Sequence, residues 1–352
     1  MRINLFKKNK SHAVFLVFSI ILFSHAEWEE SQYSGMVSEL FTTAASSALS
    51  AADLAVSHSG PFLYNPGNLA RPDAGGLTIT YSDFYKSLFN ASGLHYVTPL
   101  DQNSGLGISL AYLYIPGIED TRNLEANETI IIDDLEHFSA TDIWFRVGYG
   151  SSLSLGATDI LYGAAVNLRR RRSQVLTGYG IGVDGGVVVN YQAGTFGALE
   201  NVIISGGVMA ENVTGSYHHW TSSYKEYTLP HVRLSLAVNW NWDVPLPGSM
   251  LFVYTSPDML SNEGINFHDG DDENDPEQIY FREDPALMLL NGRYGLEYEI
   301  LNTLAIRAGL DQRNLSMGGG LKFFDGRLST DFSYILHHLS GKWKFSVTYQ
   351  WF

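Results

Sequence analysis

The sequence predicts an all-β fold, a membrane-spanning antiparallel β-barrel of about fourteen strands, the even count of single-chain bacterial barrels. Three observations point there. Apolar and polar residues alternate with a period of two in segment after segment. The chain is rich in Gly, Tyr, Phe and Trp and close to neutral in mean hydropathy, as expected when every second strand residue meets lipid and the others meet water. Connections between the strand patterns are all short at one expected end, and every long one falls at the other. The competing reading is a soluble β-sandwich.

The first element is an export signal. Basic residues from Met1 to Lys10 precede an apolar run from Ala13 to Phe23 and the small-residue site Ser24-His25-Ala26. The apolar run is shorter than the roughly 20 residues a spanning helix needs, and Glu27, Glu29 and Glu30 follow at once. Residues 1–26 are therefore expected to be a signal peptide, 27–75 an N-terminal segment, and 76–352 the barrel.

The strands come next. From 105 to 115, Leu106, Ile108, Leu110, Tyr112 and Tyr114 share one face while Gly107, Ser109 and Ala111 share the other. From 178 to 191, Tyr179, Ile181, Val183, Val187, Val189 and Tyr191 oppose Gly180, Gly182, Asp184, Gly186 and Asn190. From 231 to 242, Val232, Leu234, Leu236, Val238, Trp240 and Trp242 oppose Arg233, Ser235, Ala237, Asn239 and Asn241. The same pattern predicts strands near 76–85, 92–99, 105–115, 140–149, 154–168, 176–192, 200–213, 231–242, 249–255, 288–298, 303–312, 314–324, 327–336 and 342–352.

If the first strand runs outward, the periplasmic connections are 100–104, 150–153, 193–199, 243–248, 299–302 and 325–326, all short. The long ones, 116–139, 214–230 and 256–287, are extracellular, and both barrel ends lie in the periplasm. Tyr112 and Tyr114, Trp240 and Trp242, Tyr294 and Tyr298, and Tyr349 and Trp351 fall near strand ends, where interfacial girdles belong. The last segment carries Trp343, Phe345, Val347, Tyr349 and Trp351 on one face and ends on Phe352, which is out of phase with them. It resembles the C-terminal signal read by the outer-membrane barrel assembly machinery, so that machinery and outer-membrane lipid are expected partners.

Lipid-facing charge costs about 2–4 kcal/mol for Arg at mid-bilayer. Arg146, Asp184, Arg233, Arg293, Glu297, Arg307, Asp311, Arg327 and Asp331 are therefore expected in the lumen, with Arg307 pairing Glu297 or Asp331 as wall-stiffening ladders. The basic run Arg169-Arg170-Arg171-Arg172 lies between two strand patterns and reads as a hairpin tip, either merely solvated or touching anionic lipid headgroups or lipopolysaccharide phosphates.

The remaining residues narrow the function by exclusion. A net charge of −15 argues against nucleic acid as a partner. Cysteine is absent, so disulfides and thiolate metal sites cannot form. No His-Glu-x-x-His, Gly-x-Ser-x-Gly or phosphate-binding glycine loop occurs, and neither catalysis nor a cofactor is expected. His218, His219, His231, His337 and His338 lie near extracellular ends. The acidic stretch 269–275 lacks the ligand spacing of an EF-hand and reads as a solvated loop.

Several segments resemble a known family. Tyr64-Asn65-Pro66-Gly67-Asn68-Leu69-Ala70 is similar to the segment preceding the first strand of FadL-like outer-membrane proteins, especially the PorV/PorQ branch and its spirochaetal relatives. The run from Gly182 to Tyr191, Tyr294 to Tyr298 with Leu304 to Gly309, and the closing Asp331-Phe332-Ser333-Tyr334 are further matches in the same order. The resemblance implies a fourteen-stranded barrel with its N-terminal segment folded back as a plug inside the lumen, and Asn65, Pro66 and Gly67 as its plug or gate motif. Small side chains and turn formers over 34–75 suit that place. It also implies one of two activities: passage of hydrophobic small molecules such as fatty acids, or a secretion accessory that binds secreted cargo protein through its long extracellular loops.

Overall fold

The computed structural model of the chain describes residues 29–30, 38–56, 64–71, 75–121, 135–242, 246–260, 264–267, 277–280, 283–311, 314–337 and 340–351. The expected signal peptide, the acidic stretch 269–275 and Phe352 lie outside them.

Period-two alternation becomes fourteen long strands. They are β1 (Gly76–Phe84), β2 (Phe89–Pro99), β3 (Ser104–Glu119), β4 (His137–Leu155), β5 (Thr158–Ser173), β6 (Leu176–Phe196), β7 (Leu199–Glu211), β8 (His231–Trp242), β9 (Gly248–Thr255), β10 (Arg293–Ile300), β11 (Leu304–Asp311), β12 (Asn314–Phe323), β13 (Leu328–Ile335) and β14 (Lys342–Gln350). Each pairs antiparallel with its neighbours in the chain. The last returns to the first, with Lys342 opposite Phe84 and Gln350 opposite Gly76, so the barrel closes and its fourteen strands leave no edge between first and last.

The faces decide between barrel and sandwich. Along β8, Leu234 and Leu236 are exposed while Arg233, Ser235 and Ala237 are buried. Along β14, Trp343, Phe345 and Tyr349 are exposed while Lys344, Ser346 and Thr348 are buried. A soluble sandwich buries its apolar face; here the polar face is inside and the apolar face outside, the inversion that a lipid solvent demands. Short connections, at 100–103, 156–157, 197–198, 243–247, 301–303 and 324–327, share one end of the barrel. The long ones, 120–136, 212–230 and 256–292, share the other, which is the extracellular end by that asymmetry.

Three expectations need correction. The turn placed at 150–153 is strand, because Leu153 and Leu155 continue the outward parity of Phe145 and Tyr149 through the serines, and the chain turns at 156–157. The basic run is not a hairpin tip: β5 continues through Arg169–Arg172 to Ser173. The strand expected from 288 starts at Arg293, because Pro285–Leu290 forms a helix capped by Asp284, whose carboxylate accepts from the Ala286 N–H at 2.8 Å.

The long loops carry two hairpins, Ser216–Trp220 with Lys225–Thr228 and Gly264–Phe267 with Glu277–Tyr280. The first also pairs with Gly178–Ile181 of β6, extending the wall outward, and the backbone of Glu29–Glu30 runs parallel along its free strand.

The N-terminal segment fills the lumen. It makes a 3-10 turn at Ser38–Phe41, a five-residue helix α1 at Ala44–Ala48 capped by Thr43, and a second 3-10 turn at Pro66–Ala70 capped by Asn65. Ala44, Ala45, Ala48, Leu49, Ala52 and Ala55 are fully buried. None of these elements could form a core alone; each is covered by the barrel wall, which explains the choice of small side chains.

Candidate functional site: the plugged lumen

At the outer end the plug meets an apolar ring. Phe41 stacks on Trp144 of β4 with ring centroids 5.7 Å apart, within a buried cluster that includes Phe84, Ala91, Ala111 and Leu113 from β1 to β3. Beside it is a cavity of about 120 Å³ with a mixed wall: Leu40, Phe84 and Ile335 are apolar, Arg293, Lys342 and Lys344 are cationic, and Asp311 and several hydroxyl and amide side chains complete it. Arg293 lies 3.8 Å from the Asp311 carboxylate. The Lys344 ammonium holds the plug itself, donating to the Thr42 hydroxyl at 2.6 Å and the Leu40 carbonyl at 3.2 Å.

Lower in the lumen the wall grips the plug through polar side chains. The Ala44 N–H donates to the Ser346 hydroxyl at 2.7 Å, the Ser316 hydroxyl donates to the Ala48 carbonyl at 2.9 Å, and the Thr255 hydroxyl donates to the Ala52 carbonyl at 2.8 Å. These bonds satisfy backbone groups that a short helix and irregular chain leave open.

Asn65, Pro66 and Gly67 sit against β5 to β7. The Asn65 side chain is fully buried; its oxygen accepts from the Gly67 N–H at 2.9 Å, and its amide donates to the carbonyls of Val187 and Val208, 3.3 Å each. Two wall glycines make room. A Cβ at Gly186 would sit 2.0 Å from the Asn65 oxygen, and one at Gly163 would sit 2.4 Å from the Pro66 carbonyl oxygen. Both are close approaches that no other residue permits.

The charged residues expected in the lumen separate into groups. Arg307 of β11 bonds Glu297 of β10 and donates to Asp331 of β13 at 2.7 Å, so both suggested partners are real. Arg146, wholly buried, reaches Asp184 at 2.8 Å across β4 and β6, and Asp184 also accepts from Asn167 at 2.7 Å and from the Asn212 N–H at 2.8 Å. Arg233 faces Glu211 at 3.6 Å. Arg293 and Asp311 form the looser pair above. Arg327 is different: it falls in the exposed turn 324–327 at the short-connection end, because the chain leaves β12 at Phe323 before reaching it.

Sequence reading missed Asp142, which binds both Arg169 and, at 3.5 Å, Arg171. It also missed Lys322, bonded to Glu299 at 2.7 Å, and Lys344. Extending the alternation of β5 past 168 would have placed Arg169 and Arg171 inward and so required an acidic partner. At the periplasmic end the lumen opens into a polar cavity of about 410 Å³, lined by Arg71 of the plug, Glu299, Lys322 and the Glu297–Arg307–Asp331 group among others. The lumen thus carries an apolar cluster and several charged pairs near the outer rim, plug residues packed against the wall in the middle and a polar cavity near the inner rim.

No family model matches the chain, and no curated protein matches it in sequence. Solved structures similar to it include the toluene transporter TodX of Pseudomonas putida, at 13% identity and TM-score 0.48 over 92% of this chain and 99% of that one. A Pseudomonas aeruginosa FadL homologue is similar at 10% identity and TM-score 0.43 over 88% and 98%, and the Ralstonia pickettii toluene transporter TbuX at 10% and 0.42 over 88% and 98%.

Proposed function

We propose that the protein is an outer-membrane conduit for small hydrophobic molecules, and that amphiphiles with an anionic head, such as fatty acids, are among them. The outer cavity carries this reading. Its apolar wall, Leu40, Phe84 and Ile335, suits the first carbons of a hydrocarbon chain, and Lys342 and Arg293, the latter loosely held by Asp311, suit a carboxylate at one end. Asn65, Pro66 and Gly67 act as the latch, since passage to the periplasmic cavity requires the chain they seat to move. The lumen charges serve mainly to stiffen the wall. The FadL-like resemblance of the sequence agrees with this role; for the secretion-accessory alternative no contact among the described residues speaks, and parts of the loops that would bind cargo lie outside them.

The test is uptake into liposomes containing the refolded protein. A long-chain fatty acid should enter faster than into empty liposomes, and an Arg293→Ala/Lys342→Ala variant should lower its rate about tenfold, the loss of one or two charge-assisted contacts. A neutral aromatic hydrocarbon should be unaffected by the double variant. Equal rates with and without protein for both solutes would refute the proposal.

A further inference from the structure

The run Arg169–Arg172 is divided by the pleat of β5. Arg169 and Arg171 face the lumen and are accounted for by Asp142. Arg170 and Arg172 point outward, are exposed, and have no carboxylate partner among the described residues. Pairing registers show what surrounds them. Across the outside of the wall, Ile143 of β4 is opposite Arg170, Arg170 is opposite Tyr179 of β6, Tyr179 is opposite His219, and His219 is opposite Lys225 of the outer hairpin.

The row directly below is apolar or aromatic through Phe145, Leu168, Ile181, Tyr217 and Tyr227, the two tyrosines with ring centroids 5.2 Å apart, and Glu30 follows opposite Tyr227 at its far edge. One row above Arg170 stands Arg172, between Thr141 and Thr177. So the apolar band ends on two arginines, with an exposed tyrosine, a histidine and a lysine beside them. With strands about 4.8 Å apart and alternate residues about 6.6 Å apart, Arg170, Arg172, His219 and Lys225 fit within roughly 15 Å.

This patch does not follow from overall charge, which is −15, and among the described side chains none in the rows of Arg170 and Arg172 from β4 to the hairpin is acidic. Glu226, the nearest acid on the hairpin, is opposite His218 and shares the inward parity. The patch lies on the long-loop side of the apolar band, the outer leaflet. Arginine forks bind phosphate oxygens through charge-assisted bonds, and the flanking tyrosine and apolar row suit acyl chains beneath a headgroup.

We propose that the outward face of β5, β6 and the hairpin 216–228 is a docking site for an outer-leaflet glycolipid bearing phosphates on its sugars, held by Arg170 and Arg172 beside Tyr179. The site is on the outside of the wall and is independent of what the lumen carries.

Full-length protein in detergent, titrated with lipopolysaccharide and followed by native mass spectrometry, tests it. Wild type should bind lipopolysaccharide at least tenfold more tightly than the same lipid after enzymatic dephosphorylation. Arg170→Ser/Arg172→Ser should lose at least tenfold, Arg170→Lys/Arg172→Lys should lose less, and Arg327→Ser in the periplasmic turn should lose nothing. Heat-modified gel migration reports that each variant is folded, and the Lys variant keeps the charge should the Ser variant fail to fold. Equal binding of phosphorylated and dephosphorylated lipid, equal binding by the Ser variant, or displacement by phosphatidylglycerol or inorganic phosphate at the same concentration as by lipopolysaccharide would each overturn the assignment.

Discussion

Replacing Asn65 by Ala should unlatch the plug without opening the barrel wall. The substitution removes the acceptor of the Gly67 N–H, which is buried and then has no partner, a cost of about 1–3 kcal/mol. It also removes two amide bonds to Val187 and Val208; at 3.3 Å each they are longer than the optimum and contribute about 0.5 kcal/mol apiece. A total near 2–4 kcal/mol shifts the equilibrium between seated and displaced plug about 30- to 1,000-fold. The barrel ladders do not involve Asn65, so unfolding in urea should change little. Single-channel recording in planar bilayers should show the rise as longer or more frequent conducting intervals. Asn65→Asp is the sharper comparison. It keeps the bond from Gly67 but turns a carboxylate oxygen toward two carbonyls in a buried site, so it should unlatch at least as strongly. If Asn65→Ala conducts like wild type while Asn65→Asp conducts freely, buried charge and not the lost hydrogen bonds controls the latch, and the reasoning fails.

Arg307→Met should destabilise the barrel by about 3 kcal/mol, at the low end for a broken buried pair because the group borders a cavity that water enters. Glu297→Gln/Arg307→Met/Asp331→Asn should recover most of this in urea titration, and a triple variant no better than the single one would contradict the pairing. Leu236→Arg should cost about 2–4 kcal/mol in bilayers yet still fold, whereas failure to fold in any membrane mimic would contradict its place on the lipid face. Single cysteines at 234 and 236 should be reached by lipid-borne quenchers, and those at 233 and 235 should not.

Most of the wall was legible because a barrel strand repeats one rule, the alternation of inward and outward residues; β9 was the hardest strand to read, since Leu251 and Val253 face inward and Phe252 outward, leaving both faces apolar. The Glu297–Arg307–Asp331 group was legible for the same reason, since two- to four-residue turns fix the register of β10 to β13 and bring those positions abreast. Arg169 with Asp142 was not, because stopping the strand at Leu168 lost the parity of the next residue. Arg327 failed in the opposite way, a charge given strand parity although it lies in the turn. The plug seat was the least legible part. Nothing local marks Gly163 or Gly186 as the notches for Pro66 and Asn65, which lie about a hundred residues away, and a glycine in a strand has several other uses.

The course of the N-terminal segment constrains the order of assembly. Its backbone at Glu29–Glu30 is aligned with the outer hairpin, Phe41 packs near the outer rim, and Leu69 lies against Gly105 beside the inner turn, after which the chain enters β1 from below. Thus the described parts of the segment run from the outer rim to the inner turn. A closed cylinder already filled by its own side chains could not be threaded afterwards in this direction. The β1–β14 ladder, joining the two ends of the barrel sequence, must therefore zip up around a segment already lying in the trough of the open sheet. That seam is a one-way fastening, and a variant that closes it early would trap an empty tube with its first residues stranded on the periplasmic side.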